Sequence, residues 1–179
     1  MKSEIITIDN HENGFSQAVK EAQKVAAYTE LNAKDSLHLQ LCTEEVLSLV
    51  RSITGEIKAS FWIETEGRQY DLHVSTKTAM DMEKRSLLLS VATSRKNEAA
   101  KSFIGMLRDV FEETMVVEVK QGNNDTPSKV LGDLADHVIV CTDAEWDGYE
   151  QSTLKKLADV IKVSIRGGMV DLTVSKKFA

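Results

Sequence analysis

The chain has 179 residues, 42% of them hydrophobic and 28% charged, with 28 Asp+Glu against 22 Lys+Arg and a formal net charge of −6. That length and apolar fraction fit one globular domain over 1–179, and the acidic balance, with no block of Lys/Arg, argues against phosphate-backbone binding, so nucleic acid is not an expected partner. One proline and nine glycines exclude collagen-like and Pro-rich classes and favour helices and tight hairpins.

The start of the chain, Met1 to Asp9, is too polar for a secretory signal, and no apolar run approaches the ~18 residues of a membrane span. The expectation is a cytoplasmic protein with no membrane contact. Cys42 and Cys141 lie far apart, each inside an apolar pattern, and read as buried free thiols. His11, His38, His73 and His137 have neither HxxxH nor zinc-finger spacing, so no metal site is expected. A Cys–His nucleophilic pair would need an approach in the fold that spacing does not specify.

In chain order, residues 4–9 form a β-branched run suited to a short strand, with turn residues from Asn10 to Gly14. Phe15, Val19, Ala22, Val25 and Ala26 recur at helical steps and predict a helix ending near Tyr28. After a loop over 32–36, Asp35 or Ser36 is placed to cap a second helix, whose buried stripe is Leu39, Cys42, Val46, Leu49, Val50 and Ile53 and whose C-terminal glycine is Gly55. The period then changes to two. Ile57, Ala59, Phe61 and Ile63, then Tyr70, Leu72 and Val74 across Glu66-Gly67, predict a hairpin, with Trp62 and His73 on its opposite face and the alternation broken from Ser75 to Asp81.

The middle is helical in character: Leu87, Leu88 and Val91 in one segment, then Asn97 as N-cap of a helix over Glu98 to Phe111. Val116 to Val119 reads equally as helix end or short strand, residues 121–128 as a loop, and 130–135 as a short helical turn before the apolar run 138–140. Glu145 to Asp159 predicts a helix on Tyr149, Leu154, Leu157 and Ala158. Ile161, Val163 and Ile165, then Val170, Leu172 and Val174 beyond Gly167-Gly168, predict a closing hairpin whose turn needs positive φ. The sum is an α+β two-layer sandwich, helices on one face of a mixed, mostly antiparallel sheet.

This order of elements resembles the GHKL, or histidine-kinase-like, ATPase domain, in particular the anti-sigma-factor serine kinases. The resemblance covers roughly residues 1–78 and 141–179 and implies a Bergerat-like fold, with 79–140 as a helical insertion or extended lid. In that family a helix carries E-x-x-x-N, the Glu polarising the attacking group and the Asn holding Mg²⁺. Here Glu45 takes the place of the Glu, the catalytic position that the resemblance implies, and Leu49 the place of the Asn. A D-x-G-x-G box that receives adenine follows the family's hairpin; in Ser75-Thr76-Lys77-Thr78, Ser75 or Thr76 stands at the Asp place and no glycine follows. The family's glycine-rich phosphate loop is represented only by Gly148, among the carboxylates Glu145, Asp147 and Glu150, which repel phosphate.

The resemblance therefore implies cofactor-binding positions at Leu49, Ser75, Thr76, Thr78 and Gly148 in degraded form. ATP and Mg²⁺ are the cofactors of the family, and none is expected to be used in the standard way here. Glu44 and Glu45 read as solvated helix carboxylates or, for Glu45, as a pocket group. Trp62 and Trp146 read as packing residues or, if exposed, as contacts for a protein partner. The expected function is a regulatory module acting by protein binding in a sigma-factor or similar control pathway, the alternative being an active ATP-binding serine kinase or ATPase. A homodimer is also compatible with the apolar surface of the middle helices.

Overall fold

The computed structural model describes residues 1–9, 13–54, 58–100 and 149–179. Its elements are β1 (Ile6–Ile8), α1 (Asn13–Tyr28), α2 (Ala33–Thr54), β2 (Ala59–Glu66), β3 (Gln69–Lys77), α3 (Met82–Val91), a 3-10 turn (Glu98–Ala100), α4 (Tyr149–Leu157), β4 (Val160–Arg166) and β5 (Met169–Lys177). The strands form one sheet in the order β1-β2-β3-β5-β4, and every neighbouring pair is antiparallel. Among the described residues the expected mixture of directions is reduced to a single parallel bridge, between Asn97 and Val163.

The period of two decides which side of the sheet is covered. Ala59, Phe61, Ile63, Tyr70, Leu72, Val74, Ile161, Val163, Ile165, Val170, Leu172 and Val174 are all buried, and α1, α2 and α3 pack onto the strands that carry them. The stripe predicted for α2 is buried throughout. This is the helices-on-one-face sandwich that the sequence predicts. The opposite face carries Trp62, Glu64, Asp71, His73, Ser75, Lys162, Asp171 and Thr173, graded from half-buried to exposed.

Of the boundaries that differ from the sequence reading, two have a clear physical cause. Helix α2 begins at Ala33, and Asn32 caps it: Asn32 Oδ1 accepts the Asp35 amide at 2.9 Å. Asparagine is as good a cap as aspartate or serine, and the earlier position leaves Asp35 in the first turn, where a carboxylate suits the helix dipole. The alternation of β3 also continues through Lys77, with Thr76 buried on the inner face, because its partner β5 extends to Met169 and supplies the ladder.

The hairpin turns behave as their glycines require. Gly167 and Gly168 both have positive φ, 56° and 78°, as a two-residue type I′ loop demands. Helix α3 is capped as well, Asp81 Oδ1 accepting the Lys84 amide at 2.8 Å. The predictions for Gly55, Cys141, Trp146, Gly148 and most of the helix after Asn97 lie outside the described residues.

Candidate functional site

Helix α2 and strand β3 carry the positions that the family resemblance singles out; Leu49 and Thr76 are both buried on the helix-covered side of the sheet, whereas Ser75 lies on the other face. Leu49 is 2% exposed and packs in the core among Val46, Val50 and Ile53. Glu45, one turn earlier, is half-buried, and Glu44 is exposed. Thr76 is buried on the inner face, where its hydroxyl donates to the Lys58 carbonyl at 3.0 Å. Ser75 lies on the other face of the sheet and donates to Asp171 Oδ1 at 2.7 Å. The Thr78 amide donates to the Gly168 carbonyl at 2.9 Å, tying the end of β3 to the last turn. Gly148 lies outside the described residues.

These placements bear on Mg-nucleotide directly. Leucine has no lone pair for a cation, the Ser75 hydroxyl is across the sheet from Glu45, and the Thr76 hydroxyl is already engaged. The described residues at these positions do not make the donor set that a Mg-nucleotide needs.

The outer face of the sheet holds a more organised cluster. A short loop, Gly67-Arg68, pairs Glu66 with Gln69 and so fixes Trp62 opposite His73. Their rings stack 4.9 Å apart at an interplanar angle of 8°. From the other side of β2, the N-terminal segment brings Lys2 opposite Glu64 and places its ammonium 4.8 Å from the centre of the indole ring. Trp62 is therefore held between a cation and an imidazole, its edge rather than its faces turned outward.

Glu64 joins these groups. Oε1 accepts Trp62 Nε1–H at 3.0 Å and pairs with Lys2 Nζ at 3.2 Å, and Oε2 lies 3.9 Å from His73 Nε2. The indole hydrogen bond, followed by Lys2, holds the Glu64 carboxyl below its usual range. His73 is pushed the opposite way from a simple ion-pair partner: its burial outweighs the pull of Glu64 and Asp71 and lowers its pKa, favouring the neutral ring. His73 Nδ1 sits 3.1 Å from Thr173 Oγ1 on β5, and Nε2 has no hydrogen-bond partner. Lys2, Trp62, His73 and Thr173 thus form a row across the sheet, bordered by Ser75 and Asp171. Next to it, an open depression of about 640 Å³ is lined by Met1, Lys2, Glu64, Thr65, Glu66 and Asp71.

The sequence placed Trp62 and His73 on this face. It did not single out Lys2, Glu64 or Thr173, although counting register from the two-residue loop pairs Glu64 with Asp71 on the same face. Lys2 had no such signal, because its pairing depends on a bulge: Lys2 opposes Glu64 but Ile6 opposes Phe61, four steps on one strand against three on the other. The Glu4 amide in that bulge donates to Oε1 of the buried Glu21 at 3.3 Å.

Among the described residues no His, Cys, Asp and Glu side chains gather into a metal site, and no helix is long and apolar enough to cross a membrane. Cys42 is buried and free, its thiol pushed up to about 12 chiefly by burial. His38 is spent on structure: Nε2–H donates to the Leu157 carbonyl at 2.8 Å, joining α2 to α4. No family model matches the chain, and no curated protein matches it.

Proposed function

We propose that this chain is a cytoplasmic regulatory module of histidine-kinase-like ATPase architecture that acts by binding a protein partner in a sigma-factor or similar control pathway, with impaired or absent ATP use. The observation that carries the reading is the position of Leu49. The residue standing where the family places its magnesium ligand is an aliphatic side chain 2% exposed in the core. Hydroxyls at the adenine place are divided between the two faces of the sheet, which adds to the case against nucleotide chemistry.

Binding to a protein is supported by the outer face. Trp62, fixed by Lys2, His73 and Glu64, is an ordered aromatic edge bordered by charges, and such residues dominate the energetics of protein interfaces. Because the ring is already held, little rotamer entropy is lost when a partner covers it.

Calorimetry with Mg-ATP and Mg-ADP tests the reading, together with a phosphate-release assay on the full chain. The expected result is no saturable binding and no release above a buffer blank. Saturable binding with phosphate release that Glu45→Gln abolishes would establish the ATPase or kinase alternative. On the binding side, a partner isolated by cross-linking should be bound at least about tenfold more weakly by Trp62→Ala, the loss expected for an interface anchor. An unchanged affinity would remove the outer face from the proposal.

A further inference from the structure

A sheet leaves two edge strands, and unpaired edge amides and carbonyls are templates for pairing with another chain. In this protein the β4 edge is covered in an unusual way. The segment after α3 runs alongside it, and two side chains act as if they were backbone. At one end, the Thr93 amide donates to the Ile161 carbonyl at 2.9 Å while the Ile161 amide donates to Thr93 Oγ1 at 2.8 Å. At the other, Asn97 Nδ2 donates to the Ile165 carbonyl at 3.0 Å while the Ile165 amide donates to Asn97 Oδ1 at 2.8 Å. Between them, Asn97 makes the parallel bridge to Val163.

The outward groups of Ile161 and Ile165 are thus met by a reciprocal pair of bonds each, the arrangement a neighbouring strand would supply. Asn97 is 8% exposed, and the Asn97 carboxamide also accepts the Ala99 amide at 3.1 Å. A carboxamide reproduces a peptide group, with one acceptor oxygen and an N–H donor side by side. Residues 94 to 96, by contrast, are exposed, and Arg95 adopts a left-handed φ of 52°, a conformation disfavoured for a residue with a Cβ. The cover is held at its two ends and arched between them.

We infer that the Thr93–Asn97 segment is an intramolecular substitute for a sixth strand, and that the β4 edge beneath it is a latent self-association surface whose occupant, once the segment is withdrawn, is β4 of a second copy. The sequence of β4 favours that occupant. Antiparallel pairing of Val160–Arg166 about Val163 sets Lys162 opposite Ser164 and Val160 opposite Arg166, so no like charges face each other on the outer side. On the inner side, Ile161 meets Ile165 and Val163 meets Val163, which continues the buried apolar face of the sheet from one copy into the next.

The test uses the full chain carrying Thr93→Val and Asn97→Ala together, with Thr93→Val alone as a shape-preserving variant at an exposed position. Sedimentation over a concentration series and hydrogen exchange resolved at β4 are measured for each and for the parent. In the double variant, the inference expects the apparent mass to rise toward twice the parent's with concentration. The Ile161 and Ile165 amides should exchange about tenfold faster than the parent's when dilute, the factor expected for losing one net hydrogen bond, and regain protection when concentrated. Thr93→Val alone should accelerate Ile161 and leave Ile165 unchanged. Faster exchange with a mass that stays at the parent's value at every concentration would overturn the self-association surface. Unchanged exchange at both amides would overturn the role of the segment. If the double variant does not fold, Thr93→Val carries the test: a normal Ile161 amide would refute the inference.

Discussion

Replacing Leu49 by asparagine separates a core position from a pocket position. The substitution installs the residue that the ATPase resemblance would place there, in a helix whose buried stripe includes Cys42, Val46, Val50 and Ile53. Leu49 is 2% exposed, so the change removes an apolar side chain whose burial is worth about 2 kcal/mol. It also leaves an amide in a region lined by aliphatic groups, costing roughly 1–3 kcal/mol if it finds no partner. The sum is about 3–5 kcal/mol, a large share of the ~5–15 kcal/mol typical of a domain. Urea unfolding followed by circular dichroism at neutral pH reads this as a fall in midpoint at unchanged slope. A loss under about 1 kcal/mol would refute the reasoning, because an amide is tolerated that well only where water or a polar ligand reaches it. Stabilisation of the variant by Mg-ATP would point the same way, to a pocket rather than a core.

Other expectations follow from the same structure. His73 has its pKa lowered by burial from an ordinary value of 6.5, so the unfolded chain takes up its proton first as pH falls. Its contribution to stability is complete above that value and declines as pH drops through the folded pKa, so urea midpoints measured from pH 7 to pH 5 should fall more steeply for the parent than for His73→Gln. Cys42, with its thiol pushed up to about 12, holds only about one thiolate in ten thousand at pH 8. In a Cys141→Ser background it should therefore react with a thiol reagent only at the rate of unfolding, and rapid labelling of the folded chain would contradict its burial. Gly168→Ala forces a side chain into φ 78° and brings a Cβ to 3.0 Å from the Thr78 carbonyl. A loss of at least about 1–2 kcal/mol in urea unfolding is expected, and a neutral effect would show that the turn can rearrange.

How much was legible beforehand depends on whether the information is local. The periods of α1 and α2, the alternation of four strands and the diglycine turn are properties of neighbouring residues, and each could be read because side chains three, four or two positions apart share a face by backbone geometry alone. That is also why Trp62 and His73 could be assigned to the outer face, and Leu49 to the core. The cap of α2 was misplaced by a few residues because Asn32, Asp35 and Ser36 all have capping side chains and only the direction of the chain entering the helix chooses among them.

Tertiary structure decided the rest. Asn97 reads in sequence as an ordinary N-cap, and its oxygen does accept the Ala99 amide; yet the same carboxamide also closes on Ile165, which lies 68 residues away. Lys2 reaches Trp62 only because a bulge shifts the register of the first strand, and Ser75 and Thr76, adjacent in sequence, end on opposite faces of the sheet with different partners. Patterning of polar and apolar residues determines which face of an element is buried. Which element lies beside it, and so which hydrogen-bond donor meets which acceptor, is set by closing long loops between strands, and no local period records that choice.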